Sequence, residues 1–371
     1  MNVLYLVSEL VPSGPINQAL NIVTGFDKKE VNATIVTLFE EREKSWMDKY
    51  VSRGVKVIQL HSNRKKLFSA KKRLIAIVKE NHIDVVHSSG FSADLVNSML
   101  GNHVLTVSTF RSHISDICER SNFLVRIVSR ILFRYSLNRI GILVGCSNAL
   151  AKDMQEDIHK KCKVVQNGAD IDHYTVLARG PKRELRRQLG LPVEKKIFVS
   201  VGALEPRKNM ALIIRAFNKI RSNEVCLVIV GEGEEMEMLQ GLIGDNKCII
   251  LIGSVLEPLP YYQSADYFVS ASLAEGLPNT VLEAMSCGLP SLLSDIGPHA
   301  EMLAYDENAG CIFNRYDEAD LAQTILNALN WDMDKKTLQA RQLIENNLSK
   351  YCMAGNYLTI YKEGLSAVKK K

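Results

Sequence analysis

This sequence predicts two consecutive doubly wound α/β domains, each a parallel sheet covered by helices, facing one another across a cleft. Three observations carry that expectation. Short apolar runs recur without strict polar alternation. Helix-length stretches separate most of them. The alternation breaks off in a polar, basic segment, residues 172–192, and then restarts. Strands buried on both faces read as continuous apolar runs, and helices between them imply parallel pairing.

In the first series the strand-length runs are NVLYLVS (2–8), ATIVTLF (33–39), VKVIQL (55–60), DVVHSS (84–89), VLTVSTF (104–110), GILVGCS (141–147) and CKVVQNG (162–168). Helical stretches such as LFSAKKRLIAIVKEN (67–81) lie between them. The second series is IFVSVGA (197–203), VCLVIVG (225–231), CIILIG (248–253), DYFVSAS (266–272), PSLLSD (290–295) and GCIFN (310–314). A final helix near 351–371 has no strand after it and is expected to pack on the first domain. The sequence thus assigns 1–170 plus that helix to an N-terminal domain, and 171–350 to a C-terminal domain. Ligands of doubly wound sheets bind at the carboxyl ends of the strands, so the cleft is the expected site.

The chain has 371 residues, 46% hydrophobic and 23% charged, an ordinary globular composition. No run of eighteen apolar residues is present, so no membrane-spanning helix is expected. The start, MNVLYLVSELVPSG, reads as a strand and not a signal peptide. Eight scattered cysteines without a CxxC pair argue against zinc or a disulfide framework and fit a reducing cytoplasm. Charge is uneven. Residues 1–170 carry 24 Lys and Arg against 16 Asp and Glu, a surplus of eight, and the remainder has 22 against 25. A basic first half points to an anionic partner.

The chemistry concentrates in LAEGLPNTVLEAMSCGLP, after the run DYFVSAS. Asn279 or Thr280 can begin a helix, and Gly288 with Pro290 ends it. Val281, Leu282, Ala284 and Met285 give that helix an apolar face, which Glu283 is expected to lie off. Helical side chains lean toward the N-terminus. The Glu283 carboxylate therefore aims at the helix start, where free N–H groups and the positive dipole end attract phosphate. The turn Gly276-Leu277-Pro278-Asn279-Thr280 offers backbone donors to an anion. Glu283 can accept from a diol such as a ribose, and Glu275 reaches the anion's opposite side. A phosphate flanked by two hydroxyl-rich rings is a nucleotide-sugar. The spacing alone fits equally well a surface helix with two solvated glutamates. Upstream, IFVSVGA runs into LEPRKN, which puts Arg207 and Lys208 at a strand's carboxyl end. Two cations there would stabilise a leaving diphosphate.

VGALEPRKN, VGEGEEME, IILIG and ADYFVSASLAEGLPNTVLEAMSCGLPSLLSD together resemble glycosyltransferase family 4, the retaining group with the GT-B fold. The match in motif order is close over 197–315 and looser in the N-terminal half, and NGADID (167–172) is similar to the family's interdomain segment. The resemblance implies that Arg207 and Lys208 hold the donor diphosphate, Glu283 the ribose, and Glu275 the transferred sugar's hydroxyls. Backbone donors from Gly276 to Thr280 assist. The base is expected near Gly253, Ser254 and Val255. The loop SGPIN (13–17), with Gly14, should face the diphosphate or the acceptor. Where family members often carry a histidine, in a context like STIHN, this chain reads STFRSH. Arg111 stands in register with that histidine and His113 two residues on, and the role falls to one or the other. His87 reads as a structural histidine.

Two short motifs do not carry over. VGEGEEME lacks the third glycine of a dinucleotide fingerprint and reads as a tight turn opening a helix. DID (170–172) falls in the hinge and is assigned no metal. SNFLVRIVSRILFRYSLNR (121–139) has Arg126, Arg130 and Arg134 every four residues among large apolar residues, with Lys65, Lys66, Lys71, Lys72 and Arg73 as a second basic cluster. Two readings stand: an interfacial helix on an anionic membrane, or a core-packing helix with a solvated basic side. No aromatic stacking motif supports nucleic-acid binding.

The resulting expectation is a retaining, metal-independent glycosyltransferase without a cofactor. It would move a hexose or N-acetylhexosamine from a nucleotide-diphosphate sugar, a UDP-sugar first, to a saccharide or lipid-linked acceptor. Its place is the cytoplasm or the inner membrane face. The alternatives are a nucleotide-sugar 2-epimerase, a sugar phosphorylase, for which no pyridoxal-lysine motif is seen, or a non-catalytic nucleotide-sugar-binding subunit.

Overall fold

The computed structural model describes residues 1–63, 67–112, 122–220 and 222–369. They form two compact units, Met1–Gly168 with Lys350–Lys371, and Ala169–Ser349.

The first unit holds β1 (Asn2–Val7), α1 (Gly14–Gly25), β2 (Asn32–Thr37), α2 (Met47–Ser52), β3 (Lys56–Gln59), α3 (Leu67–Glu80), β4 (Val85–Ser88), α4 (Phe91–Asn97), β5 (Leu105–Phe110), α5 (Phe123–Arg139), β6 (Ile142–Gly145), α6 (Asn148–Ile158) and β7 (Cys162–Val164). Its seven strands are parallel in the order β3-β2-β1-β4-β5-β6-β7. Side chains alternate across the sheet. Val3, Tyr5 and Val7 of β1 therefore enter one core, while Leu4 and Leu6 enter the other with Leu74 and Val96. Helices α3, α4 and α5 pack side by side as one layer.

The second unit continues with α7 (Arg179–Gln188), β8 (Lys196–Val201), α8 (Met210–Lys219), β9 (Val225–Val230), α9 (Met236–Ile243), β10 (Ile249–Gly253), α10 (Leu259–Ser264), β11 (Tyr267–Ser270), α11 (Asn279–Ser286), β12 (Ser291–Ser294), α12 (Gly297–Leu303), β13 (Gly310–Phe313), α13 (Glu318–Ala328) and α14 (Met333–Asn347). Its six parallel strands run β10-β9-β8-β11-β12-β13. Chain order reverses between β8 and β11, the place where a doubly wound sheet opens a crevice at its carboxyl edge. Phe198 and Tyr267, on those two strands, stack with ring centroids 4.3 Å apart. At the same edge Gly231 has φ +152°, and a Cβ there would lie 1.8 Å from the Gly202 carbonyl oxygen. Only glycine lets the two turns approach this closely.

The last helix, α15 (Lys350–Lys369), belongs to the first unit. It lies against α1 and sends Met353, Ala354, Tyr357, Ile360 and Tyr361 into the core of β1. A Cβ on Gly25 would come within 2.4 Å of the Lys350 carbonyl oxygen, so this helix contact also requires glycine.

Candidate functional site

In the second unit, the segment after β8 folds as a single 3₁₀ turn, Pro206–Lys208, opened by a proline whose fixed φ suits that position. Asn209 then turns left-handed, with φ 52°, which ends the turn and starts α8. Its side chain secures this costly backbone by donating to the Arg315 carbonyl at 3.1 Å. The two cations thus project from a rigid corner. The next strand at the reversal, β11, leads into the loop that carries Glu275. Leu273 N–H donates to the Arg207 carbonyl at 2.8 Å and ties the two loops together.

Glu275, expected across the anion from Glu283, makes contacts with the cations that the sequence does not foresee. It lies directly on them. Lys208 Nζ is 2.5 Å from Oε1, and Arg207 Nη1 is 3.0 Å from Oε2. The Glu275 side chain is only 8% exposed, and two adjacent cations are the partners that can offset its desolvation. Burial alone would raise its pKa, but Lys208 and then Arg207 overcome burial and hold the carboxyl below its usual range. The Ser272 side chain adds a hydrogen bond. Arg207 also pairs with Glu205 at 2.7 Å and donates to the Ala274 carbonyl, yet remains 46% exposed.

Beyond Glu275, Leu277 and Pro278 are buried, and α11 begins at Asn279 with no side chain capping it. The helix stops at Gly288, φ +77°, whose N–H bonds to the Met285 carbonyl. Every residue from Val281 to Ser286 is buried. Glu283 is therefore not off the packed face, which corrects the expectation from its helical position. Helix α11 is covered by α10 and by α14, leaving Glu283 no solvated side. Its Oε2 accepts from the Tyr262 hydroxyl at 3.1 Å, and Tyr174 bonds it as well. Both tyrosines have pKa values raised by burial and then by the Glu283 charge.

Gly253 ends β10 with φ +88°, and its carbonyl accepts from Gly231 N–H at 2.9 Å. Ser254 is exposed and Val255 half-buried at that strand end. His299, which the sequence reading passed over, is fully buried near these loops. Its Nδ1 lies 2.9 Å from the Ser294 carbonyl, and burial holds its pKa at about 4. Ser294 in turn donates to the Ser272 carbonyl at 2.7 Å, so a buried polar chain backs the Glu275 loop. The segment GPHAE has no periodic or motif signal that marks it.

In the first unit, Gly14 opens α1 with Pro15 behind it. Arg111 follows β5, and Nη1 donates to Asn167 Oδ1. The buried Arg111 guanidinium lies beside the Tyr5 hydroxyl and interacts with it. His113 lies outside the described residues, as do Lys65 and Lys66. His87 is structural: it bonds Tyr361 Oη at 2.6 Å and Thr109 Oγ1 at 2.8 Å, and burial depresses its pKa.

Helix α5 overturns the core-packing reading of its apolar residues. Phe123, Leu124, Ile127, Val128, Ile131, Leu132 and Tyr135 are all exposed, and the buried positions are Ser129, Phe133, Ser136 and Leu137. Arg126 and Arg130 are half-buried, and Arg134 is exposed and paired with Asp157 at 3.0 Å. Among the described residues no helix is long and apolar enough to cross a membrane.

Two features thus define the class: doubly wound parallel sheets, and a carboxylate-braced pair of cations beside a helix start at a strand-order reversal. The family described as "Glycosyl transferases group 1" matches residues 195–330, and "Glycosyltransferase Family 4" matches 13–173. The chain belongs to these glycosyltransferases and has their GT-B fold. It is 26% identical over 290 residues to the alpha-monoglucosyldiacylglycerol synthase of Streptococcus pneumoniae, covering 72% of this chain and 64% of that one. It is 25% identical over 248 residues to a Campylobacter jejuni enzyme that adds N-acetylgalactosamine to a diphospho-undecaprenol-linked sugar, covering 65% of each. These curated relatives are matched over slightly less than two-thirds of their own length. Among solved structures, Anabaena HepE in complex with UDP superposes with a TM-score of 0.79 at 17% identity, over 98% of this chain and 100% of that one.

Proposed function

We propose that this chain is a retaining, metal-independent glycosyltransferase. It moves a hexose or N-acetylhexosamine from a nucleotide-diphosphate sugar, a UDP-sugar first, to a hydroxyl of a saccharide or lipid-linked acceptor in cell-surface polysaccharide or glycolipid synthesis. It works in the cytoplasm, peripherally on the inner face of the membrane, where Arg126, Arg130 and Arg134 attract anionic lipid. The observation that carries the reading is the braced cation pair at the reversal of the second sheet, within the matched family segment. The relatives' lipid and lipid-linked acceptors, and the UDP bound by the structural neighbour, support the choice of acceptor and donor.

In this reading the bond from the anomeric carbon to the diphosphate oxygen breaks as the acceptor oxygen bonds to that carbon from the same face. The acceptor proton passes to the departing diphosphate. Arg207 and Lys208, held in place by Glu275, meet the charge that builds on it without reorganising. Backbone N–H groups of the turn from Gly276 to Thr280, Pro278 excepted, add donors. Glu283 takes the ribose, Gly253 to Val255 flank the base, and Glu275 faces the sugar's hydroxyls. Gly14 and either Arg111 or His113 serve from the first unit.

Steady-state transfer, using a donor chosen by thermal-shift screening of nucleotide-sugars, tests this. Arg207→Ala is expected to lower turnover by about a hundredfold or more. Wild-type turnover would remove its role. Activity is expected to survive a chelator, and strict dependence on added manganese would contradict the metal-free chemistry.

A further inference from the structure

We infer that the outer face of α5 inserts into the hydrocarbon boundary of a bilayer, so that apolar burial, more than arginine–phosphate attraction, holds this protein on lipid. The inference rests on the membrane association proposed above and deepens it.

Successive helical residues are about 100° apart. On that wheel Ser129, Phe133, Ser136 and Leu137 face inward, and Leu124, Ile127, Val128, Ile131 and Tyr135 spread across the opposite side. Leu124 is 73% exposed and Ile131 62%. Single exposed apolar residues are ordinary, but a contiguous row this long on one helix marks an interaction surface. The usual amphipathic arrangement is inverted, with small and mixed side chains against the protein and large hydrocarbon outward.

The arginines sort by the same geometry. Arg130 and Arg134 flank one edge of the apolar row, while Arg126 falls on the inward side between Phe133 and Leu137. Residues 123–139 contain four arginines and no acidic residue. Arg126 and Arg130 are half-buried and Arg134 is engaged by Asp157, which limits the attraction they offer. Lys71 and Lys72 of α3 add positive charge to the same helical layer. A rim of cations around a hydrocarbon patch complements an anionic bilayer. A second copy of this helix face offers it no opposite charge, because residues 123–139 hold arginines and no carboxylate.

The test uses the full chain and vesicles of phosphatidylcholine, with and without phosphatidylglycerol. Binding to the anionic vesicles is expected to persist in about 1 M salt, where charges are screened beyond about 3 Å. Leu124→Ser with Ile131→Ser is expected to lower partitioning at least about tenfold, since each leucine-sized side chain forfeits its burial. Its melting temperature should stay at the wild-type value, because both side chains are already solvated. In Leu124→Trp, emission should be quenched by lipids brominated on the acyl chains, relative to the parent chain.

Unquenched emission from the Leu124→Trp variant overturns the inference. So does binding that salt and the triple Arg126→Ser, Arg130→Ser, Arg134→Ser variant abolish while the Leu124/Ile131 variant retains it. That second outcome leaves membrane association standing. Failure of the wild-type chain to bind either vesicle removes both. Self-association that the Leu124/Ile131 variant dissolves would assign the face to a second copy instead.

Discussion

Asp94 and Glu275 are both buried carboxyls, one in each unit, and their environments drive them in opposite directions. Asp94 Oδ1 accepts from Ser88 and Ser108 hydroxyls at 2.6 and 2.7 Å, and among the described residues no cation is near enough to compete with burial. Burial raises its pKa to about 7. Glu275 meets a similar desolvation, but Lys208 and Arg207 reverse its effect and keep the group ionised. Neutral hydrogen-bond donors soften the penalty of a buried charge, and full cations cancel it. Only the second carboxyl is a fixed anion at neutral pH, and it is the one in the proposed donor site.

The comparison breaks most visibly if its cation is removed. Lys208→Met leaves Glu275 with Arg207 alone and should destabilise the second unit by about 3 kcal/mol at neutral pH. The Glu275 pKa is depressed by its partners, so their contribution is present above the ordinary carboxyl range and fades as pH falls through the folded value. Urea unfolding of wild type and variant should therefore converge toward acid pH, and a constant difference would count against the ion pair as the cause.

The converse applies to Asp94. Its folded pKa is raised, so its contribution to stability is complete below about pH 4 and disappears as pH rises through about 7. Asp94→Asn, which cannot ionise, should remove about 2–3 kcal/mol of pH dependence between about pH 5 and pH 8. Melting curves at the two pH values measure it. A parallel pH response in both proteins would mean that the serines and the buried site keep Asp94 ionised.

A smaller effect sharpens the same contrast at Glu283, which has tyrosine hydroxyls as partners. Glu283→Leu leaves the Tyr262 hydroxyl buried without its acceptor and should cost about 1–3 kcal/mol. Glu283→Gln keeps an acceptor and should lose less, by the same denaturation assay. Equal losses would show that the hydroxyl contact contributes little.

The strands were readable because a parallel strand buried on both faces leaves an unbroken apolar run, as NVLYLVS and VCLVIVG do. The cations and Glu275 were readable as a group from their motifs, and their mutual ion pairs were not. Arg207 and Glu275 are 68 residues apart, and only the β8–β11 adjacency joins them. Glu283 was misjudged because its partner Tyr262 sits on another helix, and because local spacing does not report what packs on the second side. Helix α5 shows the limit most clearly. Periodicity announces two faces, but which of them meets the sheet depends on neighbours. Here Ser129 and Ser136 allow close approach while leucine and isoleucine are left outside.

The return of α15 to the first unit has a consequence for biosynthesis. Tyr357 and Tyr361 complete a core that begins with Tyr5, at the opposite end of the chain. Residues 169–349 are continuous and can assemble as soon as they leave the ribosome, whereas the earlier-made unit must wait, its central sheet open on one side, until translation delivers its closing helix. The half made first is thus the half finished last, and it is the one that chaperones would have to shelter.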